Sequence, residues 1–231
     1  MRTDILHAIN RARANRRAVV TVTELDGETV ALHEEGNLPP GDLGKALARC
    51  LQSGKAGTFE ADGRTVFLNV YLPPPRIVVI GAVHISQALA PMARIAGFDL
   101  RVIDPRTAFA TPERFAGVDL RPDWPEDVLR DEPLDAFTAL VAVTHDPKID
   151  DMPLSAALRC GCFYVGALGS RKTHAARVQR LMALGHGEAE IARISAPIGL
   201  DIGASTPAEI AVAVLADIIQ SLRKRPMGSA A

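Results

Sequence analysis

Arg76-Ile77-Val78-Val79-Ile80-Gly81-Ala82-Val83-His84-Ile85-Ser86 is the stretch that decides the fold. Its Ile77–Ile80 run is short, apolar and wholly β-branched, as suits a parallel strand buried on both faces. The strand runs into Gly81, and the six residues from there to Ser86 stand where a nucleotide-binding turn carries G-x-G-x-x-G. Only the first glycine is present. The second position is Val83, whose branched side chain crowds the path by which a pyrophosphate approaches the backbone, and the third is Ser86.

Outward from this turn the pattern alternates. A helix over 84–97 leads to a strand at 99–103 and then to Asp104, 23 positions after Gly81, close to the roughly 20-residue spacing of a ribose-binding carboxylate. Further strands are expected near 117–121, 138–143 and 163–167, with helices near 125–131, 151–160, 171–184 and 207–224. The last helix opens at Thr206-Pro207-Ala208-Glu209, a capping box with proline at the first helical position. Alternation of this kind predicts an α/β fold over residues 76–225, a Rossmann-like parallel sheet with helices on both faces.

Upstream, residues 1–72 predict a small α+β N-terminal domain. Thr3–Ala14 has helical spacing. Strands Val19–Leu25 and Thr29–His33 meet at Asp26-Gly27, a helix covers Asp42–Leu51 and closes at Gly54, and a hairpin runs from Gly57 to Leu72 through Asp62-Gly63. Pro73-Pro74-Pro75 makes a stiff joint after it. The unit has more apolar residues than 72 residues comfortably bury alone, so it is expected to pack on the rest of the chain or on a second copy, as in a homodimer.

The 231 residues are 48% hydrophobic with a formal net charge of −1. That supports a globular core and argues against a general nucleic-acid binder. No apolar run is long enough to span a membrane, and Arg2, Asp4 and His7 break any signal-peptide pattern. Three cysteines, Cys50, Cys160 and Cys162, do not make a disulfide framework. A cytoplasmic location is expected.

In an open α/β sheet, ligands bind beyond the carboxyl ends of the strands. Those ends carry Gly81 and His84; Asp104 and Arg106; Thr144, His145 and Asp146; and the run Gly166-Ala167-Leu168-Gly169-Ser170-Arg171-Lys172. Asp201 and Gly203 precede the last helix. The Gly166–Lys172 segment is the best anion candidate: its glycines allow a tight turn, Ser170 and the next helix offer donors, and Arg171 and Lys172 add charge. An ordinary strand-to-helix turn is the bland alternative. His84, His145 and His174 fall at similar places, but their non-local spacing suits hydrogen bonding better than a metal. Cys160 and Cys162 sit where an apolar helix meets a buried strand, and core packing is the preferred reading.

Taken together, Gly81-Ala82-x-His84, Asp104-Pro105-Arg106, Phe109–Phe115, Thr144–Lys148, Tyr164–His174, Pro197–Ala204 and Thr206–Ile210 resemble the XdhC/CoxI family, accessory proteins of xanthine dehydrogenase and CO dehydrogenase. The resemblance implies a maturation factor, not a metabolic enzyme. It would bind the molybdenum cofactor, as molybdopterin or its dinucleotide form, and deliver it to an apo molybdenum hydroxylase, with a cysteine desulfurase as a further candidate partner. Family members usually open Gly-Ala-Gly-His, so Val83 departs from the pattern. The Ser-x-Pro-Arg-Pro-x-Gly segment and Gly-Gly-Cys turn of the family's N-terminal domain are missing, which marks a short form. On this reading Ser170, Arg171 and Lys172 hold phosphate, Asp104 meets ribose or pterin hydroxyls, and His84, His145 and Asp146 border the pterin. Two rivals stand beside it: an NAD(P)-dependent oxidoreductase of Rossmann type, and a docking adaptor that has lost its ligand.

Overall fold

A computed structural model describes residues 3–25 and 30–224. They divide into two compact units, one up to Pro73 and one from Pro74 to Lys224.

The first unit is a four-stranded antiparallel sheet in the order β2-β1-β4-β3, with β1 at Val19–Glu24, β2 at Val30–Glu34, β3 at Gly57–Ala61 and β4 at Arg64–Tyr71. The β3–β4 hairpin closes at Asp62 and Gly63, with φ of 52° and 76° and Ala61 paired to Arg64. Two successive positive φ angles are what an Asp-Gly pair tolerates in a two-residue turn. The Asp26-Gly27 joint lies outside the described residues. Helix α1, Thr3–Ala14, packs Ile5, Ile9 and Ala12 with Val19, Val30, Leu32 and Tyr71. Helix α2, Gly41–Ser53, lies against β1, β3 and β4 and ends at Gly54, whose φ of 67° lets its N–H reach the Cys50 carbonyl.

The second unit is a six-stranded parallel sheet in the order β10-β9-β8-β5-β6-β7. The strands are β5 Arg76–Ile80, β6 Asp99–Ile103, β7 Asp119–Arg121, β8 Thr138–Ala142, β9 Tyr164–Ala167 and β10 Ile194–Ser195. Numbered from β5 as the first strand, this is the 3-2-1-4-5-6 order of a dinucleotide-binding sheet. Helices α3 (His84–Ile95) and α8 (Pro207–Arg223) bury Leu89, Ala93, Val214 and Ile218 on Ile77, Val79, Val102 and Val141. The alternate residues Val78, Ile80, Ile103, Leu140 and Val165 face α5 (Pro147–Arg159) and α6 (Arg171–Ala183) through Leu154, Ala157, Leu158 and Leu181. Burial on both faces explains why the strands read as continuous apolar runs. The Rossmann-like sheet and the small antiparallel sheet before it are as expected.

Boundaries differ in instructive places. Helix α4, Pro125–Asp131, opens on proline and fills its expected span. Helix α5, by contrast, begins at Pro147, four residues before the expected start, because Asp146 caps it by accepting the Lys148 N–H at 2.9 Å. The two-residue β10 and the short helix α7, Glu188–Ile191, were not expected. Neither has enough residues to show a period. The α8 capping box is formed: Thr206 accepts the Glu209 N–H, while Glu209 accepts those of Ser205 and Thr206.

Gly81 is the hinge of the fingerprint turn. Its φ is 124°, and an added Cβ would lie 3.0 Å from Thr144 Cγ2 and 3.1 Å from Val143 Cγ2. Gly81→Ala is therefore expected to destabilise the second unit by about 2 kcal/mol or more, from backbone strain plus crowding. Urea unfolding checks this, and a change under about 0.5 kcal/mol would show that the turn is free to relax.

Candidate functional site

Strand order reverses between β5 and β8, the place at the carboxyl edge where an open α/β sheet has its ligand crevice. The loop after β5 is held by Ser86, where a fingerprint would have its third glycine. Ser86 is fully buried; its hydroxyl accepts the Val83 N–H at 2.9 Å and donates to the Gly81 carbonyl. Val83, in extended conformation just before α3, packs partly against the α3–α8 core cluster. His84 starts α3 and is exposed.

Asp104 closes the neighbouring loop. Its side chain is 0% exposed and accepts four hydrogen bonds: Ala82 N–H at 2.7 Å, Arg106 N–H at 3.0 Å, and Arg106 Nε and Nη2 at 2.9 and 2.8 Å. Burial alone would raise this carboxyl, but the Arg106 guanidinium and the two backbone donors hold it below the usual range. The acid found by spacing from Gly81 thus has its oxygens taken up by protein donors, and a ribose or pterin hydroxyl would have to displace Arg106. Arg106 in turn lies over the Phe109 ring at 4.8 Å and feels the fields of Asp146 and Asp150.

Across the crevice, the loop after β8 turns at His145, an exposed residue with φ of 64°. A non-glycine residue in the left-handed region is uncommon and costs about 1 kcal/mol. The turn is held by Asp150, which is 1% exposed and takes the Thr144 hydroxyl at 2.7 Å and the His145 N–H at 3.1 Å. Thr144 Oγ1 also accepts the Asp146 N–H at 3.0 Å. Asp150 is not apparent from the sequence alone. Pro147 was the available signal, since proline favours the first helical position and would have put Asp150 in the first turn, beside the loop.

Gly166 is buried inside β9, where an added Cβ would meet the Tyr164 hydroxyl at 2.6 Å and Ile198 at 2.7 Å. Packing alone accounts for that glycine. Gly169 has φ of 138°, and a Cβ there would lie 3.2 Å from the Thr173 side chain. Ser170 caps α6 by accepting the Thr173 N–H at 3.2 Å, and Arg171 and Lys172 stand exposed on the first turn. Neither cation makes a hydrogen bond or ion pair among the described residues. Beneath the loop lies Arg177, also missed: it is 2% exposed, donates Nη2 to the Leu168 carbonyl at 2.9 Å, and leaves Nε and Nη1 buried without a protein partner. From sequence it reads as one more cation on a polar helix.

The structure thus gathers Gly81, Asp104, Arg106, Thr144, His145 and Asp146 at the strand switch, with Gly169 to Lys172 on the loop after the next strand. Asp201 and Gly203 are exposed on the segment before α8, and no hydrogen bond among the described residues ties them to the switch. No group of three His, Cys, Asp or Glu side chains among the described residues could hold a metal. Cys160 and Cys162 lie at the end of α5 and before β9, at the amino edge of the sheet, and burial pushes the Cys162 thiol up to about 12.

Asp150 gives this network a pH signature. Burial raises its carboxyl from 3.8 to about 6, although Thr144, Arg177 and His145 pull the other way. A carboxyl raised on folding favours the folded state below its unfolded pKa, and that contribution is lost as pH rises through the folded value. Between about pH 4 and 7 wild type should therefore lose about 2 kcal/mol relative to Asp150→Asn. Urea titrations of both proteins across this range test the point; parallel curves would contradict it.

Residues 77–218 match the model of the XdhC Rossmann domain. The chain is 35% identical over 161 residues to a Bacillus subtilis protein named as a probable component of xanthine dehydrogenase, covering 69% of this chain and 46% of that one. It is 30% identical over 148 residues to the Escherichia coli molybdenum cofactor insertion chaperone PaoD, covering 64% and 40%. The chain spans less than half the length of these curated relatives. A crystal structure of a xanthine dehydrogenase from Bacillus halodurans superposes with a TM-score of 0.63 at 24% identity, over 98% of this chain and 66% of that one, and supports the fold. The chain belongs to the XdhC family.

Proposed function

We propose that this protein binds the molybdenum cofactor, as the pterin phosphate or its dinucleotide, at the carboxyl-edge crevice and delivers it to an apo molybdenum hydroxylase. On this reading it is a maturation factor and carries no catalytic turnover of its own. One contrast carries the proposal: the acid that a nicotinamide dinucleotide would need for its ribose is taken up by Arg106, while the first turn of α6 keeps two exposed cations without partners among the described residues. The name of the Escherichia coli relative, an insertion chaperone for this cofactor, points the same way.

The residues fit an anionic, oxygen-rich group. Gly169 leaves a space beside Thr173 that a Cβ would narrow, and backbone N–H groups at the start of α6 point out of the helix end. Gly169, Ser170, Arg171 and Lys172 would hold the phosphate; Thr144, His145, Asp146 and His84 would border the pterin. The bound group would supply the molybdenum and dithiolene chemistry of the recipient enzyme. This chain's part is to hold it, orient it and limit water. The cysteines of the second unit lie on the far edge of the sheet, so sulfur for the cofactor would come from a partner such as a cysteine desulfurase.

Purified from cells that make the cofactor, the chain should carry pterin and molybdenum in near-equal amounts. The double substitution Arg171→Ala/Lys172→Ala should lower the retained pterin about tenfold, as expected for losing charge-assisted bonds to phosphate. Metal analysis and fluorescence of the oxidised pterin give both readings. Absence of cofactor from the wild-type protein, together with tight calorimetric binding of NADH, would overturn the proposal in favour of an oxidoreductase.

A further inference from the structure

Arg177 has no role in the fold that uses its whole head group. It is buried in α6, yet only Nη2 has a protein acceptor, the Leu168 carbonyl. Nε and Nη1 are buried and unpartnered. A guanidinium is charged at all working pH values, and unpaired buried donors on it are costly. One turn earlier on the same helix, three residues away, His174 also has a buried Nδ1 without a partner. Residues spaced by three share a helix face. The two side chains therefore offer three unmet ring and guanidinium nitrogens on one side of α6. Arg177 lies under the loop at Gly169, where an added Cβ would come within 3.8 Å of its Nη2.

Asp150 is the obvious candidate to neutralise Arg177, and its field is felt there. No ion pair within 4.0 Å joins them among the described residues, and both Asp150 oxygens are engaged by Thr144 and His145. Asp151 is likewise committed, to Arg180. Burial and the nearby Arg177 charge both favour the neutral form of His174, which can still donate through one nitrogen.

We propose that Arg177 and His174 form the inner wall of an oxyanion subsite beneath the Leu168–Ser170 loop, with a phosphate group as its ligand. This rests on the cofactor reading for its biological ligand and changes which residues do the holding. The anion is gripped from below by a buried guanidinium, and the exposed Arg171 and Lys172 steer it in. A desolvated charge binds an anion more strongly than a solvated one of equal charge.

The probe is inorganic phosphate, titrated calorimetrically into the full chain against chloride at matched ionic strength. Wild type should bind it saturably. Arg177→Met, which keeps the bulk and removes the donors, should weaken binding about tenfold or more, and Arg177→Lys should restore part of it. Arg171→Ala/Lys172→Ala should cost less than Arg177→Met and show the stronger salt dependence. Since Arg177 also supports the loop, His174→Ala gives an independent reading: its imidazole bonds nothing among the described residues, so the fold should survive while phosphate affinity falls severalfold. Wild-type phosphate affinity in folded Arg177→Met, or in His174→Ala if the arginine variant does not fold, would overturn the subsite, as would the lack of any phosphate binding by wild type. Cofactor retention is measured separately, so a chain that binds phosphate through Arg177 but carries no pterin refutes the cofactor reading and leaves the subsite standing.

Discussion

The carboxylate of Asp104 is the constraint on which the carboxyl edge depends. Buried completely, it fastens the fingerprint turn through Ala82 and the following loop through the Arg106 backbone and guanidinium. Removing Arg106 would leave a fully buried carboxylate without its charge partner, at a cost of about 3 kcal/mol. Its energetic weight is therefore structural first. A sheet with this strand order leaves a crevice at the switch wherever it occurs. What this chain adds is a crevice whose β6 wall is locked by its own ion pair.

The lock has a counterpart across the switch. Thr144, His145 and Asp150 form a compact hydrogen-bonded turn that keeps His145 at positive φ, and Gly81 must be glycine because that turn comes so close. Ser86 does the work that a third glycine does elsewhere by another means, tying the turn with its hydroxyl instead of letting the helix approach more closely. Both walls are preorganised, which reduces the ordering cost of binding a ligand. The exposed positive charge lies elsewhere, on the first turn of α6.

Much of this was legible in the sequence, where the signal is local. The β-branched run before Gly81, the Asp62-Gly63 turn and the Thr206–Glu209 capping box each depend on neighbours within a few residues, and each is found in the structure. The candidate loops were also legible, because strand ends follow from strand positions. What the spacing could not show is the state of each side chain. Asp104 lies where a ribose acid belongs, yet whether its oxygens are free depends on Arg106 folding back two residues later. Gly166 reads like a loop glycine and is required by Tyr164 and Ile198 packing. Arg177 is hidden for the opposite reason: a cation in Ala175-Ala176-Arg177-Val178-Gln179-Arg180 looks solvated, and only the packing of α6 under its own loop buries it. Burial of polar groups is a tertiary property with no period of its own.

The central claim is that the cofactor occupies the switch-point crevice of the second unit. Amide hydrogen exchange with and without isolated molybdopterin tests it most directly, since binding slows local opening where the ligand sits. Occupation of the crevice predicts slowed exchange over 82–86, 144–146 and 168–173, with little change in α1 and α2. Protection confined to the first unit, or none at all at saturating cofactor, would contradict it.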